Sequence, residues 1–236
     1  MEDGKRNKMQ NLKIIKETNH FLVIQKPVNI PSQADKTGDI DCITLIKEYL
    51  RKKYNKVANI YVGLVHRLDR PVGGVMVFAK TSKGASRLSK SIQEGKFIKE
   101  YILVADGKFE KSDGIMEDYL LKDEHTNLSK VVEKNTKNSK LAKLEYHVLS
   151  YREDNNLSLV HVKLYTGRHH QIRVQFAARN HSLYGDQKYG TRGKGKQIAL
   201  FAFRLSFPDP ITKDYLTFSA YPEINGTWSM LKNIKL

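Results

Sequence analysis

The alternation of apolar and polar residues along the chain predicts more strands than helices. Two short apolar runs, "HFLVIQKP" at 20–27 and "VMVFA" at 75–79, are typical of buried strands, and a proline stops the first. The segment "FIKEYILVADG" alternates as a half-buried strand does, with Lys99 and Tyr101 on one face. Paired apolar segments around 155–156 and 208–210 predict two hairpins. The polar segment 106–139 predicts loop with short strands.

Helical spacing is found in fewer places. In 41–54 the apolar residues share one face behind a capping Asp41, and a second helix is expected from Thr81 or Ser82 to Gly95. Shorter helices are predicted in "HHQIRVQFAARN" at 169–180 and over 227–234. Strands with hairpins favour an α+β fold, in which a central, largely antiparallel (mixed) sheet is flanked by helices and loops. We expect a basic tail at 1–12 and one domain at 13–236.

Charge is the strongest signal in the composition. Among 236 residues, 41 Lys and Arg face 25 Asp and Glu, which gives a net charge of +16 and a pI near 9.7. A lysine-rich surface alone explains this balance, but a polyanion such as nucleic acid is the partner that it favours. Cys42 is the only cysteine, so an internal disulfide is excluded and a reducing cytoplasm is expected. The sequence shows no spanning segment or secretory signal.

Candidate chemistry is concentrated first in "LVHRLDRPVGGVMVFAKT" at 64–81. Asp69 stands between Arg67 and Arg70, where positive charge favours an ionised carboxylate. A structural ion pair at a turn is one interpretation. The other follows from Pro71 and the next glycines, which place the carboxylate on a rigid turn before a strand, as a base, metal ligand or nucleophile requires. No second acidic or histidine ligand has a suitable local spacing, so a metal is not expected.

A second stretch, "LYTGRHHQIRVQFAARNHSLYGDQKYG" at 164–190, places arginines and histidines where a helix begins. His169 and His170 are adjacent and point about 100° apart on a helix, so they cannot chelate one ion together. The pattern instead indicates phosphate contacts or an ion pair with Asp69. For Tyr101, core packing and stacking on a nucleobase both remain open.

Together and in this order, these stretches resemble the RluA-type family of RNA pseudouridine synthases. "HRLDRPVGG" is similar to the catalytic motif HRLD-x-x-[TS/VS]-G, and "KPVNIPSQ" to the first motif. "KEYILV" resembles the K-x-Y segment, and "TGRHHQIRV" followed by "YGDQKYG" resembles the third motif. The resemblance runs from about 21 to 221, nearly the whole chain.

The resemblance implies a role for each matching residue. Asp69 would be the nucleophile that attacks the target uridine, Tyr101 would stack on the base, and Arg173 would pair with Asp69 and orient it. A uracil that reacts with Asp69 inside the protein must first leave the base stack of the RNA, so base flipping is expected. The residues expected to bind substrate are Arg67, His66, Arg70, Lys99, Arg168, His170 and Gln171. The family needs no metal or organic cofactor.

The expected partner is RNA, either ribosomal or transfer RNA, with no DNA, no membrane and a monomeric protein. Departures from the family pattern are Gly73, Gln175, Asn180 and Asn29, which affect substrate fit rather than the chemistry. No S4-type RNA-binding domain is expected ahead of the first motif. An inactive RNA-binding module of the same fold is the alternative function. A phosphate-ester hydrolase would need metal ligands or a phosphate-binding glycine loop, and the sequence has neither.

Overall fold

The computed structural model describes residues 12–55, 59–190, 193, 196–232 and 234. All but the last residue of the predicted basic tail at 1–12 lies outside the described residues. The chain divides into two compact units, the first formed by 1–97 with 202–221 and the second by 98–201 with 222–236. The assignment of 13–236 to one catalytic domain stays a prediction. No helix within the described part of the chain is long and apolar enough to cross a membrane.

The elements of the described residues confirm the predicted α+β class. The strands are β1 (Lys13–Glu17), β2 (Phe21–Lys26), β3 (Gly63–Leu64), β4 (Gly73–Ala79), β5 (Ile98–Asp106), β6 (Asp113–Asp123), β7 (Leu128–Val132), β8 (Lys140–Arg152), β9 (Leu157–Leu164), β10 (Leu200–Pro208) and β11 (Tyr215–Ser219). The helices are α1 (Cys42–Tyr54), α2 (Ser82–Gln93), α3 (Gln171–Ala177) and a 3₁₀ helix (Gly226–Leu231). The predicted C-terminal helix is therefore present as a 3₁₀ helix.

In the first unit the strands are ordered β1-β2-β4-β10-β11, and β3 also pairs with β4. β2 and β4 run antiparallel, with Phe21 opposite Ala79 and Lys26 opposite Gly74. Every residue of β4 is buried, as its continuous apolar run predicts. Asp41 caps α1 by accepting a hydrogen bond from the Ile43 amide at 2.8 Å, which confirms the predicted start of this helix.

The half-buried carboxylate of Glu17 joins β1 to α1 within this unit. Glu17 accepts hydrogen bonds from the hydroxyls of Tyr49 at 2.9 Å and Tyr54 at 2.6 Å. It also accepts from the ammonium groups of Lys53 at 2.7 Å and Lys80 at 2.6 Å. Burial raises the pKa of Glu17, but these four donors outweigh burial and lower the pKa from its ordinary 4.5 to about 2.

This cluster predicts how stability depends on acid. Because the pKa of Glu17 is lowered on folding, its contribution is present above about pH 4.5 and is lost as the pH falls towards 2. We expect Glu17→Gln to flatten the dependence of the free energy of unfolding on pH in this window. Urea unfolding of both proteins between pH 3 and 6 measures the effect. Parallel curves for the two proteins would contradict the assignment.

In the second unit the strands are ordered β5-β9-β8-β6-β7, and the pairings between neighbours are antiparallel. β8 and β9 form the predicted hairpin at 155–156, where Asn156 has a positive φ of 50°. β5 does not alternate as predicted, because all residues from Tyr101 to Asp106 are buried. This strand hydrogen-bonds to β9 along one edge and to Ser182, Tyr184 and Ala199 along the other.

The prediction of loop with short strands at 106–139 is confirmed for the five-residue β7 but is wrong for β6. β6 is eleven residues long and pairs with both β7 and β8. Only Met116 and Leu120 of this strand are buried, so its sequence lacks the apolar period on which a strand prediction depends. Backbone pairing on both edges, rather than apolar burial, accounts for the strand.

Candidate active site

Asp69 lies in a tight turn that leads into β4. Its carbonyl accepts a hydrogen bond from the Val72 amide at 2.9 Å, and Pro71 is inside the turn. Just before it, the Ser32 hydroxyl donates to the Leu68 carbonyl at 2.9 Å and accepts from the Leu68 amide at 3.3 Å. The Asp69 side chain is half-buried. The backbone on the N-terminal side of the carboxylate is therefore fixed by a residue of the first motif.

Lys26 fixes the other side of the turn. Its side chain is buried, and its ammonium donates to the carbonyls of Pro27 at 2.9 Å, Arg70 at 3.0 Å and Val72 at 2.8 Å. Burial lowers the pKa of Lys26 from its ordinary 10.5 to about 8, although the nearby Asp69 carboxylate raises it. An ammonium with all three donors on backbone carbonyls holds the turn by charge-assisted hydrogen bonds.

We predict that Lys26→Met destabilises the protein and lowers its activity. The substitution keeps most of the volume but leaves three carbonyls without their donor, and an unsatisfied buried acceptor costs about 1–3 kcal/mol. Part of this loss is offset because a buried charge is removed, so we expect a net loss of about 2 kcal/mol. Urea unfolding measures it, with the exposed Lys36→Met as the matched control. An unchanged midpoint would contradict the proposed hold on the turn.

Gly74 is required by its surroundings. It has a φ of +132°, and a Cβ at this position would lie 2.2 Å from the Ala202 carbonyl oxygen. A side chain would displace β10 from β4, so the glycine permits close strand pairing.

The three cationic or aromatic neighbours of Asp69 differ in their surroundings. The imidazole of His66 accepts a hydrogen bond from the Val77 amide through Nε2 at 3.2 Å, and the ring packs edge-on against Phe97. Arg67 is exposed to solvent. The guanidinium of Arg70 forms an ion pair with Asp39. Substrate binding by these three residues stays a prediction.

Tyr101 and Lys99 lie on β5 in the second unit. Tyr101 is opposite Val162 of β9, and Lys99 is opposite Leu164. The Tyr101 side chain is buried, with 8% of the residue exposed. Burial lowers the pKa of Lys99. A Cβ at Gly167 would lie 3.6 Å from the Lys99 Nζ, so the predicted K-x-Y segment and the loop before α3 are close neighbours.

Arg173, on α3, forms a buried ion pair within the second unit. Its Nε donates to Asp186 Oδ2 at 2.8 Å and its Nη2 donates to Oδ1 at 2.6 Å. The two side chains are only 4% and 0% exposed. Burial raises the pKa of Asp186, but Arg173 and the amides of Lys188 and Tyr189 lower it below its ordinary value. The bidentate pair fixes the plane of the guanidinium.

Tyr189 links Arg173 to the segment before α3. The guanidinium carbon of Arg173 lies 5.3 Å from the centroid of the Tyr189 ring. The Tyr189 hydroxyl accepts from the Ser129 amide at 2.8 Å and lies 2.8 Å from His170 Nδ1. The direction of the bond between the Tyr189 hydroxyl and His170 depends on the tautomer of the imidazole. His170 is buried with a φ of 53°, so it is built into the helix start.

The remaining predicted ligands of this loop differ in exposure. The Gln171 amide is buried: its oxygen accepts from the Thr166 hydroxyl at 2.7 Å, and its nitrogen donates to the Lys143 carbonyl at 3.2 Å. Arg168 is exposed, and its Nε donates to the Leu141 carbonyl at 2.7 Å. Gln171 shapes the loop, and Arg168 presents a cation to solvent. Contacts of either residue with substrate stay a prediction.

Sequence reasoning missed Lys26, Ser32, Asp186 and Tyr189. All four stand in the quoted stretches "KPVNIPSQ" and "YGDQKYG", so the motifs contain them but do not state their roles. For Asp186 the sequence offers only an acidic residue that follows a helix containing an arginine. The partner of a buried ion pair is set by the fold, and the sequence separation of 13 residues does not disclose it.

Comparisons with known proteins agree with this architecture. The family described as RNA pseudouridylate synthase matches residues 20–178. An uncharacterized RNA pseudouridine synthase of Mycoplasma genitalium is 31% identical over 89% of this chain and 68% of its own length. A ribosomal large subunit pseudouridine synthase D of Neisseria meningitidis is 30% identical over 95% of this chain and 62% of its own. The mitochondrial tRNA pseudouridine(32) synthase of Saccharomyces cerevisiae is 32% identical over 75% of this chain and 37% of its own length.

Solved structures show the same fold. The human RNA pseudouridylate synthase domain containing 4 protein superimposes with a TM-score of 0.79, covers 95% of each chain and is 19% identical. The chain belongs to the RNA pseudouridylate synthase family, and the relatives confirm the predicted RluA type. It is therefore an isomerase that acts on RNA.

Proposed function

We propose that this protein isomerises specific uridines of structured RNA to pseudouridine with Asp69 as the nucleophile. The observation that supports Asp69 is its turn, which Ser32 and Lys26 hold on both sides while the carboxylate stays half-buried. A covalent catalyst needs a rigidly placed nucleophile, and these contacts supply that rigidity.

The chemistry balances without a further reactant. The bond from ribose C1′ to uracil N1 breaks, the uracil turns, and a bond from C1′ to C5 forms. The hydrogen at C5 leaves as a proton, and N1 takes up a proton. Asp69 would bond covalently to the nucleoside while the glycosidic bond is broken and would be released at the end. Nothing is oxidised or reduced, so a carboxylate with positioning groups suffices.

Tyr101 and Arg173 are proposed to support this step. Tyr101 would stack on the target base from β5, where the pairing with Val162 fixes its backbone. Arg173 would orient Asp69, with its own guanidinium plane fixed by Asp186. We propose that Arg67, His66, Arg70, Lys99, Arg168, His170 and Gln171 bind or shape the substrate around them.

The proposed substrate is ribosomal or transfer RNA. The names of two relatives assign a large ribosomal subunit to one and a transfer RNA to the other, which supports both classes. The net charge of +16 suits a phosphate backbone in either case. We propose a cytoplasmic monomer that acts without a cofactor.

The experiment incubates the purified protein with unmodified transcripts of ribosomal and transfer RNAs. The RNAs are then digested to nucleosides, and pseudouridine is measured by chromatography. We expect pseudouridine in one class of transcript and none in incubations without protein. Tight binding of both classes with no pseudouridine in either would favour the inactive binding module instead.

A further inference from the structure

The second unit contains an open cleft in which the proposed roles assign only Arg168. It has a volume of about 570 Å³ and lies between the β6–β7 hairpin, residues 138–140 and the loop 167–169. Its lining includes three cations and a single carboxylate, which are Lys122, Lys140, Arg168 and Glu124. All of its lining belongs to the second unit.

The charge of this cleft is only partly balanced. Lys122 forms an ion pair with Glu124. Neither Lys140 nor Arg168 forms a salt bridge with a carboxylate of the described residues. Both are exposed, and Arg168 is tethered because its Nε donates to the Leu141 carbonyl at 2.7 Å. The cations of Lys140 and Arg168, which both line the cleft, are therefore available to a phosphate group.

A flat ring stands beside these cations. His169 lines the cleft, its Nδ1 lies 2.9 Å from the Ser129 hydroxyl, and its ring stacks on His170 with centroids 3.7 Å apart. The ring is thus held in one plane and is half-buried. Leu121, which is half-buried, adds apolar surface to the cleft. A cation pair, an aromatic plane and apolar surface together suit a nucleotide.

The wall of the cleft is connected to Arg173. Ser129 donates its amide to the Tyr189 hydroxyl at 2.8 Å, and the Tyr189 ring lies under the Arg173 guanidinium. His170, on which His169 stacks, bonds to the same hydroxyl at 2.8 Å. A ligand in the cleft therefore contacts residues that are rigidly coupled to a proposed catalytic group.

We infer that this cleft binds a nucleotide of the substrate RNA other than the target uridine, with its phosphate on Lys140 and Arg168 and its base or ribose beside His169. The inference rests on the proposed function, because it takes the ligand to be the RNA that is modified. An acidic peptide would satisfy the two cations but would make no use of the fixed ring.

Fluorescence anisotropy with labelled oligouridylate and with a labelled transfer-RNA transcript tests the inference. We expect Lys140→Gln/Arg168→Gln to weaken binding about tenfold at moderate salt. It should also reduce the slope of log affinity against log salt by about 0.7 for each lost phosphate contact. The matched control is Lys111→Gln/Arg152→Gln, which removes the same charge from exposed positions of this unit outside the cleft.

A second variant keeps Arg168 and its hydrogen bond to the Leu141 carbonyl, so that a loss of binding cannot be caused by misfolding of this loop. Lys122→Gln/Lys140→Gln changes exposed lysines only, and we expect it to weaken RNA binding more than the control does. RNA that contains 4-thiouridine should in addition become crosslinked, on irradiation, to the peptide that contains His169. Equal affinities of both cleft variants and the control, with wild type still forming pseudouridine, would overturn the cleft alone. Absence of pseudouridine with wild type would overturn the proposed function, whatever the affinities are.

Discussion

Asp69→Asn is expected to lower the rate of pseudouridine formation by about three orders of magnitude or more. Asparagine has the same shape as aspartate but lacks the anionic oxygen that the proposed covalent step requires. The turn itself should survive, because its hydrogen bond to the Val72 amide uses the backbone carbonyl of Asp69. We therefore expect the free energy of unfolding to fall by only about 1 kcal/mol, the part contributed by the Asp69 charge near Lys26.

The control for this substitution is Asp214→Asn. Asp214 is an exposed carboxylate of the same unit, so the same chemical change is made outside the proposed site. The rate is measured by chromatography of digested RNA, and stability is measured by urea unfolding. A strongly destabilised Asp69→Asn protein would mean that the carboxylate has a structural role. Wild-type rates in a folded Asp69→Asn protein would refute its role as nucleophile.

Arg173→Ala is expected to destabilise the protein by about 3–5 kcal/mol as well as to remove activity. The substitution leaves Asp186 as a buried carboxylate without its bidentate partner, and this side chain is 0% exposed. Breaking the ion pair with Asp186 thus lowers the free energy of unfolding, in addition to the loss of activity expected from the sequence. Loss of activity alone would not separate orientation of Asp69 from loss of the fold.

A double substitution separates these two roles. Arg173→Leu/Asp186→Leu replaces the buried pair by apolar groups, which is often neutral or stabilising. We expect urea unfolding to place this protein closer in stability to wild type than Arg173→Ala, while pseudouridine formation remains absent. If the double variant recovers activity together with stability, Arg173 has no part in orienting the nucleophile.

Much of the fold was predictable where burial follows one clear period. The run that became β4 and the helix behind Asp41 were placed correctly, because both bury an uninterrupted apolar face. β6 was missed since backbone pairing with two neighbours, rather than apolar side chains, accounts for it. The position of β5 was predicted correctly but its burial was not, because Ser182, Tyr184 and Ala199, which hydrogen-bond to its edge, are remote in sequence.

The contacts of the candidate site were less predictable than its residues. Adjacency in sequence placed Arg70 beside Asp69, but it did not predict the ion pair between the Arg70 guanidinium and Asp39. Arg173 was identified, but its bond to Asp186 was not. Lys26 was quoted only as part of a motif, and its three backbone acceptors come from two separate loops. Motifs indicate which residues matter, whereas the partners depend on tertiary structure.

Release of tritium from RNA labelled at uracil C5 tests the central claim most directly. Formation of the carbon–carbon glycosidic bond expels the hydrogen at C5, so released tritium reports the isomerisation itself. Wild type and Asp69→Asn are compared on the same labelled ribosomal and transfer RNAs. We predict release with wild type and none with Asp69→Asn. Release with both proteins would contradict Asp69 as the nucleophile, and release with neither would contradict the proposed activity on these RNAs.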